Sequence, residues 1–290
     1  MENIKNLIKL LTLEELDPCL YRGESFMTPW GRVFGGQVLG QAMHAAYQTV
    51  PKERIAHSMH AYFILGGDCN FPIIYHVDTI RDGGSYSTRR VTAQQKGKSI
   101  FVMAVSFHKK EEGFNHQISA PKVLPPEELL TDVEQIKHIE AIDPILYRRM
   151  KGIHPHAIEF RPVEKPDPFN PNPAPPFRNI WLRAKEQLDN SIPLQHQLLA
   201  YASDYNLLLT AVNPHQAKVE RGNVFLASLD HAMWFHRSFN MSDWLLYALD
   251  SPSASNGRGF SRGEIFDREG KLVASVVQEG VIRKGKKRKK

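Results

Sequence analysis

Apolar residues recur along this chain with two different periods, and the alternation between them predicts the elements. In residues 36–49, Val38, Leu39, Ala42, Met43 and Ala46 follow helical spacing. The glycines at 35, 36 and 40 would let that helix lie close to a sheet. Strand-like runs then fall at 55–65, 73–80, 86–95 and 99–108, the last two joined by Gln95-Lys96-Gly97-Lys98, a hairpin signal. The order repeats further on. A helix is predicted over 195–212, followed by strands at 223–235, 244–250, 259–266 and 272–283, with Asp267-Arg268-Glu269-Gly270 as the matching hairpin. A first strand of this second set is predicted at 157–163. Seven prolines between Pro162 and Pro176 read as an extended loop after it.

The two sets share an internal offset. Arg89 and Gly97-Lys98 in the first are matched by Arg262 and Gly270-Lys271 in the second, and His60-Ala61 precedes His231-Ala232 by 171 residues. Such collinearity predicts a duplication, each copy one helix wrapped by an antiparallel sheet. The expected class is α+β, a double hotdog. Its first unit would span residues 1–115, a connector 116–154, the second unit 155–284 and a basic tail 285–290.

Composition narrows the class. Apolar residues make up 42% and charged residues 23%, normal for a globular protein. No apolar run is long enough for a membrane span. The N-terminus, with Glu2, Lys5, Lys9 and Glu14, does not read as a secretory leader. Cys19 and Cys69 lack metal-site spacing, so neither a zinc site nor a disulfide is expected. The net charge of +6 comes from the end of the chain, because Arg283 to Lys290 carry seven positive charges. That tail reads as a solvated appendage, and no basic groove with interleaved aromatics suggests nucleic-acid binding. No cofactor is called for.

The informative residues are polar ones in apolar settings. Gln278 shares a strand face with Leu272, Ala274, Val276, Gly280 and Ile282. Asp204 lies about 100° from the centre of the stripe made by Leu198, Tyr201, Ala202, Tyr205, Leu208, Leu209 and Val212. Ser228 sits in a strand that is apolar on both faces. A backbone-paired amide, a solvated carboxylate and a small core serine would account for each separately. The first helix region, however, has no acidic residue, His57 falls opposite Ser228 at offset 171, and Ser106 opposite Gln278 at offset 172. Only one copy carries the set, which points to one site per chain. Gly259-Phe260-Ser261-Arg262-Gly263 matches a nucleophile-elbow string but precedes a strand, and no histidine follows His236, so Ser261 is not expected to be a nucleophile. His60 and His231 read as inward strand histidines rather than metal ligands.

Several longer runs carry a resemblance. Ser203-Asp204-Tyr205-Asn206, Asp230-His231-Ala232-Met233-Trp234-Phe235-His236-Arg237 and Val277-Gln278-Glu279-Gly280-Val281 resemble the acyl-CoA thioesterase II family, as do Gly31-Arg32-Val33-Phe34-Gly35-Gly36-Gln37 and His57-Ser58-Met59-His60. The resemblance covers about residues 11–283. It implies a double hotdog that assembles into a dimer or tetramer and hydrolyses acyl-CoA to a free acid and coenzyme A. It also implies a site of Asp204, a hydroxyl at Ser228 (threonine in some relatives) and Gln278. Arg258 and Arg262, after the turn at Asn256-Gly257, are candidates for the phosphates of coenzyme A. Peroxisomal members end in a Ser-Lys-Leu type signal; this sequence ends Arg288-Lys289-Lys290, so the expected location is cytoplasmic. A noncatalytic acyl-CoA binder and a hotdog hydratase remain as alternatives.

Overall fold

The computed structural model describes residues 3–28, 31–151, 157–165, 172–218 and 224–284. In chain order these form α1 (Ile4–Leu11), β1 (Glu14–Asp17), β2 (Leu20–Gly23), α2 (Gly35–Tyr47), β3 (Ile55–Phe63), β4 (Ile73–Asp82), β5 (Tyr86–Gln95) and β6 (Lys98–His108). Three short helices follow, α3 (Asp132–Gln135), α4 (Ile139–Ile142) and α5 (Pro144–Lys151). The second half holds β7 (Ile158–Pro162), β8 (Phe177–Ala184), α6 (Ile192–Ser203), α7 (Leu207–Thr210), β9 (Val224–Ser228), β10 (Asp230–Phe235), β11 (Leu245–Ser255), β12 (Arg258–Asp267) and β13 (Leu272–Lys284). The basic tail 285–290 and part of the proline-rich loop lie outside the described residues.

The strands make a single antiparallel sheet of order β1-β2-β4-β5-β6-β3-β10-β13-β12-β11-β8-β7, with β9 also paired to β13. The two halves meet at β3–β10, where Ala232 faces His60. Helices α2 and α6 pack against each other on the inner face. This is the double hotdog. Close approach of the helices depends on missing side chains: a Cβ on Gly36 would stand 2.3 Å from the carbonyl oxygen of Tyr201, and one on Gly40 3.1 Å from that of Gln197. These glycines therefore bring helix to helix, where the sequence reading had them bring helix to sheet.

The predicted second helix breaks. It ends at Ser203 with Asp204 as its C-cap, and Asn206 at φ 67° turns the chain into the short α7. A left-handed residue cannot continue a helix, and asparagine tolerates that conformation better than most. The predicted strand over 223–235 likewise splits at Leu229. The same irregularity occurs in β3, whose register against β6 shifts between Ala56 and Ser58.

Register also fixes how the copies correspond. Both hairpin pairs carry a bulge near the turn, with Ile100 the extra residue in β6 opposite Ala93-Gln94 and Val273 the extra residue in β13 opposite Ile265-Phe266. Counting from these bulges, Arg89 pairs with Val105 in the first unit where Ser261 pairs with Gln278 in the second. The counterpart of Gln278 is thus the buried Val105, not Ser106, which lies on the outer face. By the same count Ser228, opposite Gly280, corresponds to Ala56, opposite Phe107, rather than to His57. The bulges occur in both copies and cancel. The second hairpin turn is one residue longer, which moves the last strand out by one, and the His-Ala match at 171 is one residue out of register with β3 and β9–β10. His60 is exposed, contrary to expectation, whereas His231 is fully buried.

Candidate active site

Three elements of the second unit converge on the first turn of α2. Asp204 is delivered by the end of α6, Ser228 by the end of β9 and Gln278 by the middle of β13. Gln278 is fully buried on the inner face. Its Nε2 donates to Asp204 Oδ1 at 2.9 Å and to Ser228 Oγ at 2.6 Å. The second carboxylate oxygen, Oδ2, accepts the backbone N–H of Gly36 at 2.9 Å. Phe34, the N-cap of α2, offers no side-chain acceptor, so Asp204 fills that place from the other unit.

Burial pushes the Asp204 carboxyl above its ordinary pKa, while hydrogen bonds from Gln278, Gly36 and Ser228 pull the other way. With both of its amide contacts spent as a donor, Gln278 keeps a buried Oε1 that has no partner among the described residues. That oxygen is a buried acceptor with its hydrogen-bonding capacity unused. Ser228 Oγ takes the Gln278 hydrogen bond as an acceptor, and its own rotatable proton can turn to Asp204 or to a bound molecule.

Asp204 is also held from behind. Tyr247 Oη donates to the carbonyl of Ser203 at 3.0 Å, and Ser203 Oγ lies 3.0 Å from His231 Nε2 while donating to the Ala200 carbonyl. The Ser203 proton is used on Ala200, so His231 donates from Nε2. Burial lowers its pKa to about 3, which keeps the ring neutral. Neither Tyr247 nor His231 stood out in the sequence for this work; only a shared apolar setting could have flagged them.

In the first unit the corresponding place is core. Ala56 and Val105 replace Ser228 and Gln278, and Tyr47 closes the gap. Its hydroxyl accepts the Ala56 N–H at 3.0 Å and lies 2.8 Å from His196 Nδ1. The chain therefore carries one polar constellation of this kind among its described residues.

The two arginine candidates are elsewhere. Arg262 is exposed and paired with Asp250 at 2.6 Å. Its counterpart Arg90 pairs with Asp78 at 2.9 Å, on facing strand positions in the same way. A pair present in both copies is a feature of the duplicated sheet. Arg258 pairs with Glu279 at 2.9 Å on the rim of the second unit. Among the described residues no cluster of histidine, cysteine and carboxylate groups is arranged for a metal.

The chain as a whole has known relatives. A family profile described as "Acyl-CoA thioesterase" matches residues 150–281, and one described as "Acyl-CoA thioesterase N-terminal domain" matches residues 25–108. The chain belongs to the acyl-CoA thioesterase family. It is 38% identical to acyl-CoA thioesterase 2 of Haemophilus influenzae, over 97% of this chain and 98% of that one. It is 40% identical to acyl-coenzyme A thioesterase 8 of Mus musculus, over 94% and 88% of the two chains. The crystal structure of an acyl-CoA thioesterase II from Mycobacterium marinum, 37% identical, superposes with a TM-score of 0.78 over 95% of this chain and 97% of that chain. This thioesterase is accordingly a hydrolase of the acyl-CoA thioester bond.

Proposed function

We propose that this thioesterase hydrolyses acyl-CoA with a water molecule activated at Asp204 and held by Ser228 and Gln278. The bridging amide carries the reading: Gln278 Nε2 ties Asp204 Oδ1 and Ser228 Oγ into one cluster. Asp204 accepts a proton from the water as its oxygen adds to the thioester carbonyl carbon. Ser228 Oγ–H and Gln278 Oε1 present a donor and an acceptor that fix the water's orientation. The resulting oxyanion is met by backbone N–H groups and the positive end of α2. Collapse expels the coenzyme A thiolate, which leaves readily because thiols are much stronger acids than alcohols, and which takes up a proton on release.

A covalent acyl-Ser228 has less support, because among the described residues Ser228 is bonded to the Gln278 amide and to no imidazole. The proposed division of the chain, 1–115 and 155–284 joined by 116–154, follows the interval between His108, where β6 ends, and Ile158, where β7 begins. We further propose a homo-oligomer, dimer or tetramer, acting in lipid metabolism in the cytoplasm. The location accords with a match over 98% of a bacterial relative.

Incubation with saturated acyl-CoA and with enoyl-CoA, in the presence of a thiol reagent, tests the reading. Release of free thiol is the expected result. Loss of the enoyl absorbance without thiol release would indicate a hydratase. Binding without either change would indicate an acyl-CoA binder.

A further inference from the structure

A cavity of about 320 Å³ opens at the other end of β9 from Ser228. Val212 and Ile282 give it apolar walls, Arg258, Arg283 and Lys284 bring three cations, and His215 adds an imidazole. None of its lining residues is acidic. Arg258 is engaged with Glu279, but Arg283 and Lys284 are exposed and have no ion-pair partner among the described residues. The Arg283 side chain lies over the turn at Gly257, with Nε 3.3 Å from where a Cβ would stand. The volume is within the range of small-molecule sites.

The cavity does not contain the Asp204 cluster, yet it is joined to it by one strand. β9 has Ser228 at one end, bonded to Gln278, and Val224 at the other, lining the cavity. Four residue steps of strand separate them, roughly 14 Å. On β13, Ile282 lies on the same face as Gln278, with Gly280 between them. Leu208 and Ala211 cover that face at Gly280 and Gly259, so the α7 segment stands between the cluster and the cavity.

We propose that this cavity seats the phosphorylated adenosine end of the coenzyme A moiety, with the pantetheine arm running along β9 to the thioester. The inference rests on the acyl-CoA reading of the Asp204 cluster. The chemistry of the ligand fits the lining. An adenine ring has a flat apolar face for Val212 and Ile282. Its diphosphate and 3′-phosphate need cations, and guanidinium groups bind phosphate oxygens in pairs. The arm in an extended form covers a distance of the order that β9 sets.

The test is the double variant Arg283→Gln, Lys284→Gln, compared with the unaltered thioesterase. KM for octanoyl-CoA should rise roughly tenfold or more, as loss of charge-assisted hydrogen bonds predicts. KM for the octanoyl thioester of N-acetylcysteamine, which lacks the nucleotide, should move much less. Calorimetry with 3′-phosphoadenosine 5′-diphosphate should show binding that weakens in the variant. Equal KM shifts for both substrates, or nucleotide binding that the variant retains in full, would overturn the assignment. So would nucleotide binding that plain phosphate at equal concentration abolishes, since that marks a surface attracting any anion. Failure of the unaltered protein to hydrolyse either thioester would instead remove the catalytic reading, while calorimetry would still decide the cavity.

Discussion

Oδ2 of Asp204 accepts the Gly36 N–H at 2.9 Å, so a carboxylate from the second unit terminates the helix of the first. One contact thus joins the proposed base to the helix end whose positive charge favours it. It also ties the site to both units: the second supplies the three side chains, and the first supplies the helix start that holds the carboxylate.

The glycines around this contact separate geometry from stability. A Cβ on Gly35 would fall 2.7 Å from Asp204 Oδ2 and 3.1 Å from the Phe63 ring. The carboxylate is the end of a flexible side chain and would move. Gly35→Ala should therefore lower kcat, by about tenfold or more, with a small change in melting temperature. Gly36→Ala places its Cβ 2.3 Å from the Tyr201 carbonyl, and backbone cannot yield so easily. It should destabilise the fold, by about 1–3 kcal/mol. Denaturant melts and kcat for both variants check this; full activity in Gly35→Ala would mean that the carboxylate position is not critical.

Asp204→Asn should lower kcat by roughly 10²–10⁴-fold, the usual contribution of a placed general base. Burial raises the Asp204 pKa, so the acidic limb of the kcat/KM profile should lie above the ordinary aspartate range and vanish in the variant. Stability carries the opposite sign. A carboxyl whose folded pKa is raised is penalised once it ionises, so the native protein loses stability as pH rises from the unfolded value through the folded one. The asparagine variant lacks this loss, and its stability relative to the parent should increase across that window. A constant difference at all pH values would argue that Asp204 is not desolvated.

Ser228→Ala removes a hydroxyl that accepts from Gln278 at 2.6 Å. Activity should fall, and Ser228→Thr should keep most of it, because the oxygen is preserved. Gln278→Ala removes both bridges and should cost more than Ser228→Ala. Steady-state kinetics on one acyl-CoA rank the three. A Ser228→Ala enzyme as active as the parent would leave the hydroxyl without a role in the reaction.

Much of this site was legible in the sequence, and the reason differs for each residue. Gln278 announced itself because strand alternation put an amide among Ala274, Val276 and Gly280, and the structure keeps that face buried. Asp204 was read at the border of a continuous helix. It is in fact the residue where the helix stops, since Asn206 takes a left-handed conformation that apolar spacing does not encode. Its bond to Gly36 spans 168 residues and leaves no local trace. The correspondence between copies is off by one at Gln278 because the second hairpin turn is one residue longer, and at Ser228 because the His-Ala repeat at 171 is a chance match one residue out of register. Strands β1, β2 and β8 and helix α1 were not predicted; the first two are only four residues long, too short for a period to show.

Acid should unfold this protein through its histidines before most of its carboxylates titrate. His196 is fully enclosed, stacked on Phe235 at 4.0 Å and bonded to Tyr47, and its pKa is lowered to about 3. Burial also lowers His231 to about 3 and His44 to about 4. All three have 6.5 as their ordinary value. Above 6.5 the folded and unfolded chains are both neutral at these positions, and no penalty exists. Below it the unfolded chain takes up protons that the folded one refuses, so stability falls as pH drops from 6.5 toward about 3. Each such histidine contributes a slope of about 1.4 kcal/mol per pH unit once well below its unfolded pKa. Urea unfolding of the parent and of His196→Gln, at intervals from pH 7.5 to 5, measures it. The variant starts from a lower stability because it loses the ring stacking, but its decline with pH should be shallower by about that slope. Parallel curves for the two proteins would show that His196 accepts a proton in the folded state, and that its enclosure does not hold it neutral.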